Sequence, residues 1–508
     1  MKKSMTKSAI FITVFLLLEK LFAFFRETVF ASYYGTTIES DSYFMANTIP
    51  NVLFAVVGVA ITTTIIPMYV DKSTNSTEEE KNNFISNIIN ILMLISLTFS
   101  IVGFIFANFI TKFFAPDFSE QAYLLTTQMT RIMFPSVIFT SLMSLCTAVL
   151  NSKKIFIPSV FGAIIPSISV MIGTIITNGN NIKLVSFFTL LGVVLQALFI
   201  VMFTKKHIDY KFILDFKSPD IKKILKLILP VTVAIGVAEI NNIIDKMLAS
   251  GLDSGSISAM NYAQKLNTLF LGVLLTSITT VTYPVFSELV AKKNHKSLIN
   301  TLNKTCSISM MIFMPISVFI FLYRKEIVSI VFGRGAFNTT SVDVTSYVFG
   351  ILSFTLIFSA FREIITKFYY SEGNTKIPML FSSIGILINI GLNLILINYM
   401  GVGGLVLSTV ISSAIIDIML IWYLNRLNSL YSLKPSFKIL PKIILGSLFM
   451  IITIIVFRYY MSFSNDFVNI IISGIVSFMV YGVTLLLLRV SILFDYINMI
   501  KTKIFKLK

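Results

Sequence analysis

Apolar runs as long as a bilayer core recur from one end of this 508-residue chain to the other. A spanning helix needs about 20 apolar residues. Runs of that kind are read at 9–32, 43–69, 84–110, 122–150, 157–178, 182–203, 222–250, 257–287, 300–322, 344–366, 377–398, 402–425, 439–459 and 467–488. They do not alternate apolar and polar residues as barrel strands would. The expected fold class is therefore an all-α polytopic membrane protein with about fourteen transmembrane helices. Composition agrees: 13% of residues are charged, about half the share of a soluble chain. The short polar connections leave no room for a folded domain outside the membrane.

The net charge of +17 sits mainly in loops. With a cytoplasmic N-terminus, the inner side collects Lys2, Lys3, Lys7, Lys153, Lys154, and the stretches Lys205–Lys226, Lys292–Lys304, Arg426–Lys442 and Arg489–Lys508. These and the other inner connections together hold about 29 basic residues against about 6 outside, the asymmetry that sets topology in membranes. The outer exceptions cluster at Arg324, Lys325 and Arg334. Both termini are expected inside, and the basic charge needs no nucleic-acid partner. The opening Met1–Lys7 resembles a signal peptide, but Glu19 and Lys20 interrupt the following run, so it reads as a first spanning helix.

Local features repeat at one offset. Ala31-Ser32 pairs with Ala249-Ser250, Pro67 with Pro284, Ile138-Phe139 with Ile357-Phe358, and Pro158 with Pro378, all 217–220 residues apart. Pro67 is expected to end helix 2 and Pro284 to lie near the end of helix 8. Six helices per repeat keep the same orientation, so the halves are parallel repeats with a substrate site expected between them. The division is an N-terminal lobe at 1–215 (helices 1–6), a C-terminal lobe at 216–430 (helices 7–12), and helices 13 and 14 with a basic tail at 431–508.

Charges inside the spans are costly in hydrocarbon. Lys20, Arg26, Arg131, Lys246, Lys265 and Arg362 fall there, with Glu19, Glu27, Glu239, Asp245, Glu363 and Asp417. They line a wet cavity or pair with one another. Glu19 and Arg26 are seven apart and share a helix face, as do Lys20 and Glu27, and Glu239 and Lys246. Lys20, Arg26 and Lys265 are the candidates for holding an anionic headgroup such as a phosphate; paired charges that fix helix packing are the alternative. Arg131, Arg362 and Glu363 read as packing or snorkelling residues. Asp245, Asn389, Asn393 and Thr409 offer oxygens of the type a hard cation takes, although interhelical hydrogen bonding is the commoner role of such Asn and Thr.

Nothing marks an enzyme. No Gly-rich phosphate loop precedes a Lys-Ser or Lys-Thr pair, and no His, Cys or carboxylate cluster has metal spacing. Cys146 and Cys306 fall in apolar stretches as small core residues. His207 and His295 are loop residues beside lysines.

The segment Phe24 to Gly35 reads FFRETVFASYYG and is followed by Glu39-Ser40-Asp41-Ser42-Tyr43-Phe44 and Ile49-Pro50-Asn51. A second stretch runs Asp245-Lys246-Met247-Leu248-Ala249-Ser250, Gly255-Ser256, Tyr262-Ala263 and Tyr283-Pro284. Together they resemble the MurJ (MviN) lipid II flippases of the MOP exporter superfamily, and the resemblance covers essentially the whole chain. It implies that Arg26 stands at an essential helix 1 arginine, and that Lys20 and Lys265 stand where arginines are common. Asp41 matches an acidic residue before helix 2 and is counted with Arg26, Lys265 and Lys20 as a candidate substrate-binding residue. Asp245, Asn389, Asn393 and Thr409 fall at positions of a sodium site, with an amide at Asn393 where a carboxylate can occur. Phe54 stands where the family often has arginine. A lysine keeps charge but loses bidentate phosphate geometry.

The resemblance implies translocation of a polyprenyl-pyrophosphate-linked glycan, lipid II, by alternating access of two lobes about a cationic cavity. The lipid tail would lie along helices 13 and 14, sodium is the candidate coupling ion, and the oligomeric state, for which a monomer is plausible, is left open. The alternatives are export of another lipid-linked oligosaccharide, cation-coupled drug export, or a non-transporting scaffold for envelope assembly. A drug exporter predicts an acidic cavity and a scaffold predicts large folded loops.

Overall fold

The computed structural model describes residues 2–427, 431–461, 465–490 and 492–494. Helices follow one another throughout, and no strand occurs among the described residues. The first repeat holds α1 (Lys2–Tyr34), α2 (Ile38–Asn75), α3 (Glu78–Ile105), α4 (Ala107–Phe114), α5 (Glu120–Met133), α6 (Ser136–Ser152), α7 (Ile157–Gly162), α8 (Ile164–Thr177) and α9 (Ile182–Thr204). The second holds α10 (Pro219–Ala249), α11 (Ser256–Ala291), α12 (His295–Leu322), α13 (Arg324–Phe332), α14 (Thr339–Ser353), α15 (Thr355–Ser371), α16 (Lys376–Met400) and α17 (Val402–Leu427). Then come α18 (Lys434–Phe437), α19 (Leu440–Tyr460) and α20 (Asp466–Leu487).

The duplication is visible in the irregularities. A long third helix is followed by a short one in each repeat, α3 by α4 and α12 by α13. The fourth span is broken in each, into α5 and α6 and into α14 and α15. The α5–α6 break bends the chain by 42° at Phe134-Pro135, where proline has no N–H to continue the ladder. Pro67, expected to end helix 2, instead lies inside α2, which runs on to Asn75, and Pro284 lies inside α11, seven residues before its end at Ala291. One lost hydrogen bond does not end a helix held by neighbouring turns. Nine described helices or continuous pairs are long and apolar enough to cross a membrane, eleven with two bent pairs included. Fourteen remains the count expected from sequence.

Contacts group the chain into two compact units, Met1–Asn261 with Arg334–Ser341, and Tyr262–Gly333 with Val342–Lys508. In the first unit, α3 shows how a sequence poor in charge packs in lipid. Its first half buries Phe84, Ile85, Ile88, Ile91 and Leu92 in a core cluster, whereas its second half buries the small Ser96, Ser100 and Gly103 and leaves Leu97, Ile101, Phe104 and Ile105 exposed. Small residues let helices approach, and the large apolar ones face hydrocarbon. At Gly103 a Cβ would lie 2.1 Å from the Phe134 ring, so only glycine fits. The Arg334–Ser341 segment is held to the end of α1, where the Ala336 N–H donates to Ser32 O at 2.8 Å and Thr36 Oγ1 to Ser341 Oγ at 2.8 Å.

The second unit has a large apolar cluster drawn from α12, α15, α17, α19 and α20, with Leu302, Cys306, Ile365, Phe368, Leu420 and Ile454 at its centre. The two helices outside the duplication are tied on by polar contacts. Arg458 of α19 pairs with Glu326 at 2.6 Å and donates to Leu322 O at 2.7 Å. Tyr323 donates to Ser473 of α20 at 2.6 Å. Lys325 is paired with Asp343 at 2.7 Å.

Candidate functional site

On α1 the Arg26 guanidinium pairs with Glu27 at 2.5 Å. Glu27 is 3% exposed and the Arg26 side chain 26%. The arginine therefore keeps one edge open while its neighbour neutralises it from inside. Lys20, nearly two turns earlier, is exposed beside half-buried Glu19. Lys246 of α10 donates to Thr48 Oγ1 on α2, and Asn242 donates to Glu239 at 3.3 Å. The charges on α1 and α10 are thus engaged chiefly within the first unit.

Asp41 is 5% exposed. Its Oδ2 accepts from Gly255 N–H at 2.6 Å and its Oδ1 from Ser258 N–H at 2.7 Å. Both are donors at the start of α11, where the first turn has no backbone partners and a carboxylate is favoured by the helix dipole. Gly255 makes this approach with φ +95°, and a Cβ there would stand 2.6 Å from Thr36 O. Asp41 therefore ties the beginning of α2 to the beginning of α11, with both oxygens in use.

Lys265 belongs to the second unit and is exposed on α11. Among the described residues it makes no hydrogen bond or ion pair. The helix bends by 51° between Gly272 and Ser277, beyond the turn that carries it. The second unit also has an open groove of about 460 Å³ between α11 and α12, walled by Ile278, Val281, Val285 and Ile308 with Thr301 and Lys304. None of the residues singled out from sequence lines it.

Three of the four candidate cation ligands meet between α16 and α17. Asn389 donates to Thr409 Oγ1 at 3.3 Å and to Ser412 Oγ at 3.4 Å. Asn393 donates to Asn389 Oδ1 at 3.1 Å, and Ser408 donates to Asn393 Oδ1. The fourth candidate, Asp245, lies on α10 in the first unit, where Asn241 donates to it at 3.4 Å. As arranged, the amides of Asn389 and Asn393 turn N–H groups into the cluster and their oxygens accept from neighbours. That set fits an interhelical hydrogen-bond junction, and a cation would need those amide groups to turn.

Of the remaining intramembrane charges, Arg131, Arg362 and Glu363 have local partners, while neither carboxyl oxygen of Asp417 has a hydrogen-bond partner among the described residues. Arg131 donates to Asn108 at 3.3 Å, and Glu363 pairs with Lys367 at 3.4 Å. Arg362 donates to Ser359 at 3.4 Å and Ser413 at 3.3 Å. Cys146 and Cys306 are free and buried. His295 Nδ1 lies 2.6 Å from the Tyr431 hydroxyl, which donates to Glu372 at 3.1 Å.

Sequence reasoning did not single out the asparagines that hold the connections following each repeat. Asn87 of α3 donates to Asp215 O at 2.9 Å and accepts from its N–H at 2.7 Å. Asn90 donates to Ile213 O at 2.8 Å. In the second repeat Asn303 of α12 donates to Ser432 O at 2.9 Å and accepts from Ser436 N–H at 3.1 Å. Asn87 and Asn303 are 216 residues apart, and that near-repeat spacing was the available signal.

The sequence model of the family described as Lipid II flippase MurJ matches residues 30–494. A probable lipid II flippase MurJ of Buchnera aphidicola subsp. Schizaphis graminum is 28% identical over 469 residues, covering 89% of this chain and 90% of the relative. Its counterpart in Rickettsia prowazekii is 29% identical over 435 residues, covering 84% and 83%. The solved structure described as lipid II flippase MurJ, inward closed conformation, superposes with TM-score 0.81 at 26% identity, covering 94% of this chain and 99% of that one. An inward-facing MATE family multidrug transporter of the MOP superfamily superposes with TM-score 0.67 at 17% identity, covering 81% and 95%, and shares the fold. With most of its length matched in sequence and in structure, the chain belongs to the lipid II flippase MurJ family.

Proposed function

We propose that the chain is a flippase that carries the lipid-linked peptidoglycan precursor, lipid II, across the bacterial cytoplasmic membrane. The family match over residues 30–494 carries this reading. The headgroup with its pyrophosphate crosses while the polyprenyl tail stays in lipid, and the two repeats open alternately to the two sides. Lys20, Arg26 and Lys265 supply the cations that hold the diphosphate. Asp41, with both oxygens on backbone N–H groups, acts by positioning the α2–α11 junction. Both termini lie inside. Sodium is the proposed coupling ion, with Asp245 on α10 and Asn389, Asn393 and Thr409 on α16 and α17 as candidate oxygen donors.

The test is complementation of a conditional flippase-depletion strain, joined to translocation of labelled lipid II in proteoliposomes. Rescue with translocation is the expected result. Failure of both at normal membrane abundance sinks the proposal. Movement of a different polyprenyl-pyrophosphate glycan instead would favour the exopolysaccharide alternative.

A further inference from the structure

Asp417 is a buried acid that the proposed headgroup site does not use. It lies on α17, ten residues from the C-terminal end, so about 15 Å along the helix at 1.5 Å per residue. Its side chain is 4% exposed, and neither carboxyl oxygen has a hydrogen-bond partner. Ile416 and Leu420 flank it in the large apolar cluster of the second unit. An ionised carboxylate buried without donors is expelled to its neutral form unless a counter-charge reaches it.

The ionisable groups around it are few. Arg362 on α15 and Cys306 on α12 lie within electrostatic reach of Asp417. Tyr369 of α15 spends its hydroxyl on Leu420 O at 2.8 Å. Glu363 and Lys367 pair with each other. On α16 the only ionisable residues are Lys376 and Tyr399, at its ends. On α17 itself Tyr423 and Arg426 stand more than one turn further on. Arg362 does not form an ion pair with Asp417. Its guanidinium donates instead to Ser359 and to Ser413, and Ser413 is one turn before Asp417 on the same helix face.

We propose that Asp417 is a proton-binding site of the second unit, a neutral acid in the conformation seen here, whose ionisation draws the Arg362 guanidinium from Ser413 to the carboxylate. The O–H bond breaks, its electron pair stays on the carboxylate, and the proton passes to water. The part-exposed Arg362 marks the side from which water reaches the acid. A metal cation is a poorer occupant. It needs several oxygen ligands, and the nearby Ser413 hydroxyl already accepts from a positive group. Proton loss would therefore repack α15 against α17, two helices in direct contact, and the site stands independently of which lipid is carried.

The experiment uses the full-length protein in nanodiscs. Infrared difference spectra of the parent against Asp417→Asn should show a protonated-carboxyl band near neutral pH that fades as pH is raised. Arg362→Gln should move that fading upward by about one pH unit or more, because the ion lost its counter-charge. Unfolding lets the parent's carboxyl ionise at any pH above about 4, which Asp417→Asn cannot do. The two thermal midpoints should therefore agree near that pH, and the parent's should fall increasingly below the variant's as pH rises to the point where the band has faded. No Asp417 band at any pH, an unchanged titration in Arg362→Gln, or an Asp417→Asn variant that fails to fold would each overturn the proposal.

Discussion

Arg26 and Lys265 read alike in the sequence and differ in the structure. Arg26 is bound to buried Glu27, whereas Lys265 is exposed and unpaired among the described residues. Removing either cation should cost a charge-assisted hydrogen bond of roughly 1.5–3 kcal/mol, hence roughly ten- to a hundredfold in headgroup affinity. Arg26→Ala and Lys265→Ala should each abolish complementation. Lys265→Ala should do so at normal membrane abundance and Lys265→Arg should be tolerated, since the fork of arginine suits phosphate. Arg26→Ala also strands Glu27, and breaking a buried pair costs about 3–5 kcal/mol. Its abundance should fall, and a second change, Glu27→Gln, should restore abundance without restoring function. Restored function in the double variant would make the pair purely structural. Immunoblots of membranes beside the growth assay separate these cases. The sequence placed the cations, but could not place the Glu27 pair, because adjacent residues on a helix do not ordinarily face each other.

At the scale of elements, side chains borrowed from neighbouring segments secure the helix ends. Asp41 accepts from the first turn of α11 and needs the left-handed Gly255 to reach it. Gly255→Ala should destabilise by more than about 1 kcal/mol, and Asp41→Asn, which keeps one acceptor, by about 1–3 kcal/mol; thermal unfolding of the purified protein reads both. Equal midpoints for Asp41→Asn and the parent would assign that residue to the substrate rather than to the junction. The connections after each repeat are fastened in the same manner. Asn303→Ala should release Ser432 and Ser436 and speed proteolytic cutting near 431–437, while cutting near 207–217 stays as in the parent. The helices themselves were legible from apolar length. Their breaks at Phe134-Pro135 and at Phe354 were not, because a broken span keeps the same hydrophobicity as a straight one.

For the whole molecule, loop charge makes the firmest prediction. Reporter fusions at Lys508 and in the 204–221 connection should read inside, and a fusion near Gly35 outside; an outside signal at Lys508 would mean a miscounted span. If sodium couples transport, Asp245→Asn should weaken the sodium dependence of translocation in proteoliposomes, and a parent that transports equally in sodium-free buffer ends that idea. Apolar run length, the loop-charge bias and the offset of 217–220 residues are one-dimensional quantities. The chain order carries them in full, so the sequence by itself determined the helical membrane class, the expected topology and the duplication. Pairing is three-dimensional. Arg26 on Glu27, Asp41 on the α11 turn, Asn389 with Thr409 and the solitary Asp417 depend on which helix faces which. In lipid that choice is made by the close fit of small residues rather than by hydrophobicity, so only the tertiary structure decided it.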